Sequence, residues 1–258
     1  MENAMKYFVF FLGIIFAVIT AGFYLTPNLV EANDSQVSMK YQKADLKNGA
    51  LLYDNWLELS KAEPEGNHPL YPATAKKSGK TTWRCKECHG WDYIGKKGRY
   101  SKGSHYTGIT GVFQVRTENP EKVYDSMINK NSKHNFSEYL SNSEIWDLVK
   151  FLREGQAPIE AAIDREGLGK GDIETGKVLY DSHCASCHGM DGNEIDFKSD
   201  KDGIQGVGWL AIDNPQESIH KIRWGHPGSN MPSMITDKNL NEQDAINILT
   251  YSQSLDSK

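Results

Sequence analysis

The sequence predicts two tandem copies of one small helix-bearing domain behind a single apolar N-terminal helix. Three observations carry that expectation: a long apolar run near the N-terminus, two C-x-x-C-H motifs that use all four cysteines, and a repeat that flanks both motifs. The remaining composition is ordinary for a folded chain of 258 residues, with 38% hydrophobic and 24% charged residues and a net charge of −5. No basic tract is interleaved with aromatics, which excludes nucleic acid as a partner.

From Tyr7 to Leu25 the chain is almost entirely apolar, broken only by Gly13, Thr20 and Gly22. As a helix this run would span roughly 28 Å, about the thickness of a bilayer's hydrocarbon core. Lys6 precedes it and no Lys or Arg follows until Lys40, a bias that holds the N-terminus in the cytoplasm and sends the rest out. Residues 1–32 are then either a retained single-pass anchor or a signal peptide cleaved near Val30-Glu31-Ala32. The length of the run favours the anchor, since a signal h-region usually has ~7–15 residues. The first reading leaves the chain in the cytoplasmic membrane, with its domains on the periplasmic side. The second leaves it soluble in the periplasm.

Cys85-Lys86-Glu87-Cys88-His89 and Cys184-Ala185-Ser186-Cys187-His188 both carry the attachment signature of c-type haem. Two thiols three positions apart reach the two vinyl groups of one porphyrin, and the adjacent histidine is carried under its iron. The expected cofactors are thus two covalently bound haem c groups, on Cys85 and Cys88 and on Cys184 and Cys187, with His89 and His188 as proximal ligands. A zinc site built from the four cysteines would leave both histidines unexplained. A thioredoxin-like redox pair would want a βαβ context, which is missing.

The repeat defines the domains. Asp45-Leu46-Lys47-Asn48-Gly49-Ala50-Leu51-Leu52-Tyr53-Asp54 matches Asp172-Ile173-Glu174-Thr175-Gly176-Lys177-Val178-Leu179-Tyr180-Asp181. Beyond the cysteines, Gly108-Ile109-Thr110-Gly111-Val112 and Asn119-Pro120 match Gly203-Ile204-Gln205-Gly206-Val207 and Asn214-Pro215 at the same separation. Each copy closes with a capped amphipathic segment, Ser141 to Leu152 and Asn241 to Tyr251. The first domain is expected over 41–153, a Gly-containing linker over 154–171 and the second domain over 172–258. Tyr180 stands four residues before Cys184, whereas Tyr53 stands thirty-two before Cys85, so 55–84 carries an insertion. With no clear periodicity it reads as a surface loop, the alternative being a partner-docking element.

This order of helix, haem motif, looped middle, sixth-ligand loop and closing helix resembles the class I cytochrome c domain. The tandem resembles the dihaem cytochromes c of the cytochrome c4 type. The resemblance implies an all-α fold wrapped around haem and a role in carrying electrons. It also implies a distal methionine past each haem motif. Met231, in Gly228-Ser229-Asn230-Met231-Pro232, fits the second domain. Met234 lacks that frame and reads as core, and Met190 follows its motif too closely to reach the opposite face. The first domain departs from the pattern. Aligning Asn119-Pro120 with Asn214-Pro215 brings His134 close to the place of Met231, which points to bis-histidine ligation. Met127, His105, His68 or an open iron are the alternatives. His183, His220 and His226 read as surface histidines.

A second imidazole holds a lower potential than a thioether, so electrons are expected to run from the first haem to the second. Residues 41–163 carry 18 basic and 15 acidic residues, and 164–258 carry nine and 16, so an acidic second domain is suited to steering a basic patch on a redox partner. The expected function is an electron relay between a membrane-associated respiratory donor and another redox protein, with no catalytic residues and with the membrane as a contact through the N-terminal helix. The alternatives are a haem enzyme, peroxidase-like or sulfur-compound oxidising, and a subunit bound in a larger respiratory complex.

Overall fold

The computed structural model describes residues 37–197 and 203–255. The chain separates into two compact units, 1–43 and 44–258. Of the first, residues 37–43 are described and are helical; the apolar run 7–25, and with it the expected anchor or signal peptide, lies outside the described residues. Among the described residues no helix is long and apolar enough to cross a membrane. The larger unit is helical, and its described residues hold two isolated β-bridges and no strand.

Within that unit one plan occurs twice. In the first half, α1 (Leu46–Ser60) packs across α4 (Asn142–Lys150), with α2 (Cys85–His89) and α3 (Pro120–Ile128) between them in sequence. In the second half, α5 (Ile173–His183) packs across α9 (Glu242–Ser252), with α6 (Ala185–His188), α7 (Val207–Asp213) and α8 (Pro215–Trp224) between. Asp45 and Asp172 cap α1 and α5 by accepting from Asn48 N and Thr175 N. Ser141 with Glu144, and Asn241 with Asp244, close reciprocal capping boxes on α4 and α9.

The repeated glycines explain the crossings. A Cβ on Gly49 would stand 2.0 Å from Asp147 O, and one on Gly176 would stand 2.0 Å from Asn247 O. Only hydrogen lets each helix pair approach that closely. The same backbone contact is then pinned by side chains: Asp147 accepts from Asp45 N at 2.6 Å, and Asn247 accepts from Asp172 N at 2.8 Å.

Three expectations change. The insertion is not only a surface loop: Tyr71, Thr82, Trp83 and His68 are buried, although much of 61–80 is exposed. Trp83 packs edge-on against Trp56 of α1, which donates through Nε1 to Trp83 O at 2.8 Å, and His68 packs edge-on against Trp83. The stretch 154–171 is packed rather than loose, with Ala157, Ala162 and Ile163 buried. It begins within a π-helical turn, Phe151–Gly155, that continues α4. Finally, His220 is not a surface residue. It is fully buried on α8, because α8 docks on the first half rather than facing water.

Candidate haem-binding site

The first half encloses a cavity of about 300 Å³. Its apolar walls are Val112, Val115, Val123, Met127, Leu148 and Leu152, and Cys85, Cys88, His89 and His134 open onto it. The sequence-separated elements converge for local reasons. Arg84, extended before α2, is tied to Asp54 of α1 by Nε to the backbone carbonyl at 2.8 Å and Nη2 to the carboxylate at 2.5 Å. Tyr53 donates to Gly90 O at 2.6 Å and so fixes the turn that follows His89.

The two imidazoles face each other. Their ring centres are 6.2 Å apart and their planes stand at 82°. Nδ1–H of His89 donates to Thr110 O at 2.8 Å and Nδ1–H of His134 to Ser126 O at 3.3 Å. Carbonyl-held Nδ1–H groups leave both Nε2 lone pairs free for a metal. Two metal–nitrogen bonds of about 2 Å each, plus the offset from nitrogen to ring centre, match such a separation. Burial pushes the His89 pKa down to about 4, against the hydrogen bond to Thr110 O, and lowers that of His134 as well. Both rings are therefore neutral, as ligands must be. Burial also pushes the Cys85 and Cys88 thiols up to about 12. They are protonated and poor thiolate ligands. Two neutral thiols, two opposed imidazoles and apolar walls fit a haem c.

Of the alternatives for the distal ligand, His68 also lines the cavity, its ring 6.4 Å from that of His134 and stacked on Phe136. Its Nδ1 accepts from Leu70 N at 3.1 Å. Met127 is buried in the wall. His105 faces elsewhere, bonded to Glu87 at 3.2 Å and stacked on Tyr100.

The second half repeats part of this frame. Tyr180 donates to Gly189 O at 3.0 Å, as Tyr53 does to Gly90 O. Both glycines have φ 79° and ψ 160°. Phe136 N donates to Met127 O and Met234 N to Ile222 O, so His134 and Met231 precede equivalent bonds by two and three residues. Met231 is half-buried in the loop after α8 and Met234 is buried in the core. Burial lowers the His188 pKa and raises the Cys184 thiol to about 12.

Residues 173–256 match the family model of cytochrome c. The likeness covers that stretch alone, about a third of the chain. The stretch contains α5 to α9, Cys184, Cys187, His188 and Met231, and the match points to covalently bound haem c and haem-based electron transfer for it. No curated protein and no solved structure matches the chain. The halves differ at the proximal histidine of the motif. Gln205 stands where Thr110 does, but its carbonyl accepts from Phe197 N at 3.0 Å, and His188 Nδ1 has no partner among the described residues.

Sequence reasoning named every thiol and imidazole of the first cavity but missed its supports. Tyr53 was read as part of a repeat rather than as the clasp on Gly90. The inward insertion was signalled only by its density of aromatics, Trp56, His68, Tyr71 and Trp83.

Proposed function

We propose that the chain is a dihaem electron carrier, each half of the 44–258 unit holding one haem c. The observation that carries this reading is the opposition of His89 and His134 across a cavity walled by Cys85 and Cys88. Cys85 and Cys88 bond the first porphyrin while His89 and His134 hold its iron. Cys184 and Cys187 bond the second, with His188 and Met231 as ligands. When bound, each group supplies a one-electron iron couple. The protein excludes water with Val112, Val123, Leu148 and Leu152, and sets the two potentials apart by placing an imidazole in one half and a thioether in the other. Ligation on both sides leaves the iron no site for substrate, which favours a carrier over an enzyme. The apolar run 7–25 tethers the carrier to the outer face of the cytoplasmic membrane, near a membrane donor, and a second redox protein takes the electrons.

The test is the chain matured in a host that attaches haem c. Its mass should exceed the polypeptide by two haems, and both ferric centres should be low-spin. His134→Ala should convert one of the two centres to a high-spin form that binds carbon monoxide. A spectrum unchanged by that substitution would overturn His134 as the ligand, and a mass increment of one haem would overturn the dihaem reading.

A further inference from the structure

His220 belongs to the second half by sequence but to the first half by contact. It is wholly buried, and both ring nitrogens bond across the junction: Nε2–H donates to Ala50 O of α1 at 3.2 Å, and Nδ1 accepts from Tyr93 OH at 3.4 Å. Its ring centre lies 4.9 Å from Trp91, 5.6 Å from Phe151 and 6.2 Å from Tyr53. Two of those contacts lead toward His89. Trp91 follows it by two residues, and Tyr53 lines the first cavity while holding Gly90 O. On its other side His220 is joined through α8 to the loop of Met231. Ile222 O accepts from Met234 N, and Gly225 lies so close to that loop that a Cβ there would stand 2.5 Å from Met231 O.

We propose that His220 is the positioning residue that couples the two haem-binding halves. It locks the loop of Met231 against the turn after His89 and supplies the hydrogen-bonded contact through which the halves exchange an electron. This rests on the dihaem reading above. In the step itself the first iron loses one electron and the second gains it. His220 stays neutral, with its proton on Nε2 throughout, so no proton moves with the electron. A buried ring with both nitrogens committed across a junction is suited to this, because neither rotation nor protonation can occur without breaking the contact.

The test uses the matured full chain. One electron is injected photochemically, and its redistribution is followed in the absorption bands of the two centres. His220→Leu should slow redistribution roughly tenfold, within the span that one coupling residue can contribute, with both haems retained. His220→Gln can still donate to Ala50 O and accept from Tyr93 OH, and should restore most of the rate. If His220→Leu fails to accumulate, Tyr93→Phe removes only the bond to Nδ1 and should slow redistribution severalfold. An independent readout is the ¹⁵N spectrum of the imidazole, expected to show a single tautomer protonated at Nε2. Unchanged redistribution in a variant that retains both haems, or an imidazole protonated on both nitrogens, would overturn the proposal. A chain found to carry one haem would overturn the dihaem reading instead, and the ¹⁵N spectrum would still decide whether the bridge exists.

Discussion

Burial pushes the pKa of His220 down to about 3, outweighing the attraction of Asp54. The unfolded chain takes up a proton near pH 6.5 while the native one does not, so stability is full above that value and declines as pH falls toward about 3. Each pH unit in that window costs at most about 1.4 kcal/mol for this one group. His220→Gln should flatten the part of the pH–stability curve that lies between those limits, as read by chemical denaturation at a series of pH values. The residues that line the first cavity were legible at this scale. Cys85, Cys88 and His89 were named from the C-x-x-C-H spacing and His134 from aligning the two copies, and the structure brings all four to one cavity. The burial of His220 and of His68 was not legible, because nothing local tells a buried imidazole from an exposed one. Their burial is decided by elements far off in sequence, α1 for His220 and the folded-in insertion for His68.

Helix ends and crossings are where this sequence speaks most directly about structure. Asp45, Ser141, Asp172 and Asn241 all cap the helices they precede, and each pattern can be read from a few residues. Replacing Ser141 by Ala should cost about 1 kcal/mol in a denaturant titration, since it removes the acceptor for Glu144 N. Gly176→Ala is a sharper test of the crossing. Alanine's helix propensity favours the variant by about 1 kcal/mol, but its methyl would collide with a backbone carbonyl, an overlap worth about 2–3 kcal/mol. The net should be a loss of about 1–2 kcal/mol and a lower Tm; an unchanged or raised Tm would mean that α5 and α9 separate more easily than their contact implies. The insertion was the element least accessible to pattern reasoning. Its 55–84 stretch holds its shape by aromatic packing and side-chain bonds such as His68 N to Thr82 Oγ1 at 2.8 Å, neither of which has a sequence period.

The molecule as a whole is held by a junction more polar than most cores. Asp54 is fully buried, yet it pairs with Arg84 at 2.5 Å within its own half and with Lys221 at 2.8 Å across the junction. Burial alone would raise its pKa, but the attraction of Lys221, a bond from His226 and the nearby Arg84 hold it well below the carboxylate range. Its contribution is present above pH 3.8 and is lost only as the pH falls through that lowered value. Asp54→Asn should destabilise the chain by about 3 kcal/mol, because Arg84 loses its counter-charge and Lys221 keeps only that of Glu217 at 3.5 Å, and limited proteolysis should then cut within 154–171. The expectation of a loose connector missed this, since the sequence shows glycines there but not what they pack against. The π-turn Phe151–Gly155 has a consequence of its own. Its last carbonyl, Gly155 O, is taken by Arg223 Nη1 at 2.7 Å and Trp224 Nε1 at 3.3 Å. Deleting a single residue from that turn would restore ordinary winding, swing the carbonyl around the helix by about 100°, and strand both donors. The surplus residue is thus a keyway into which the other half slots, and a length polymorphism there should be far less forgiving than any substitution.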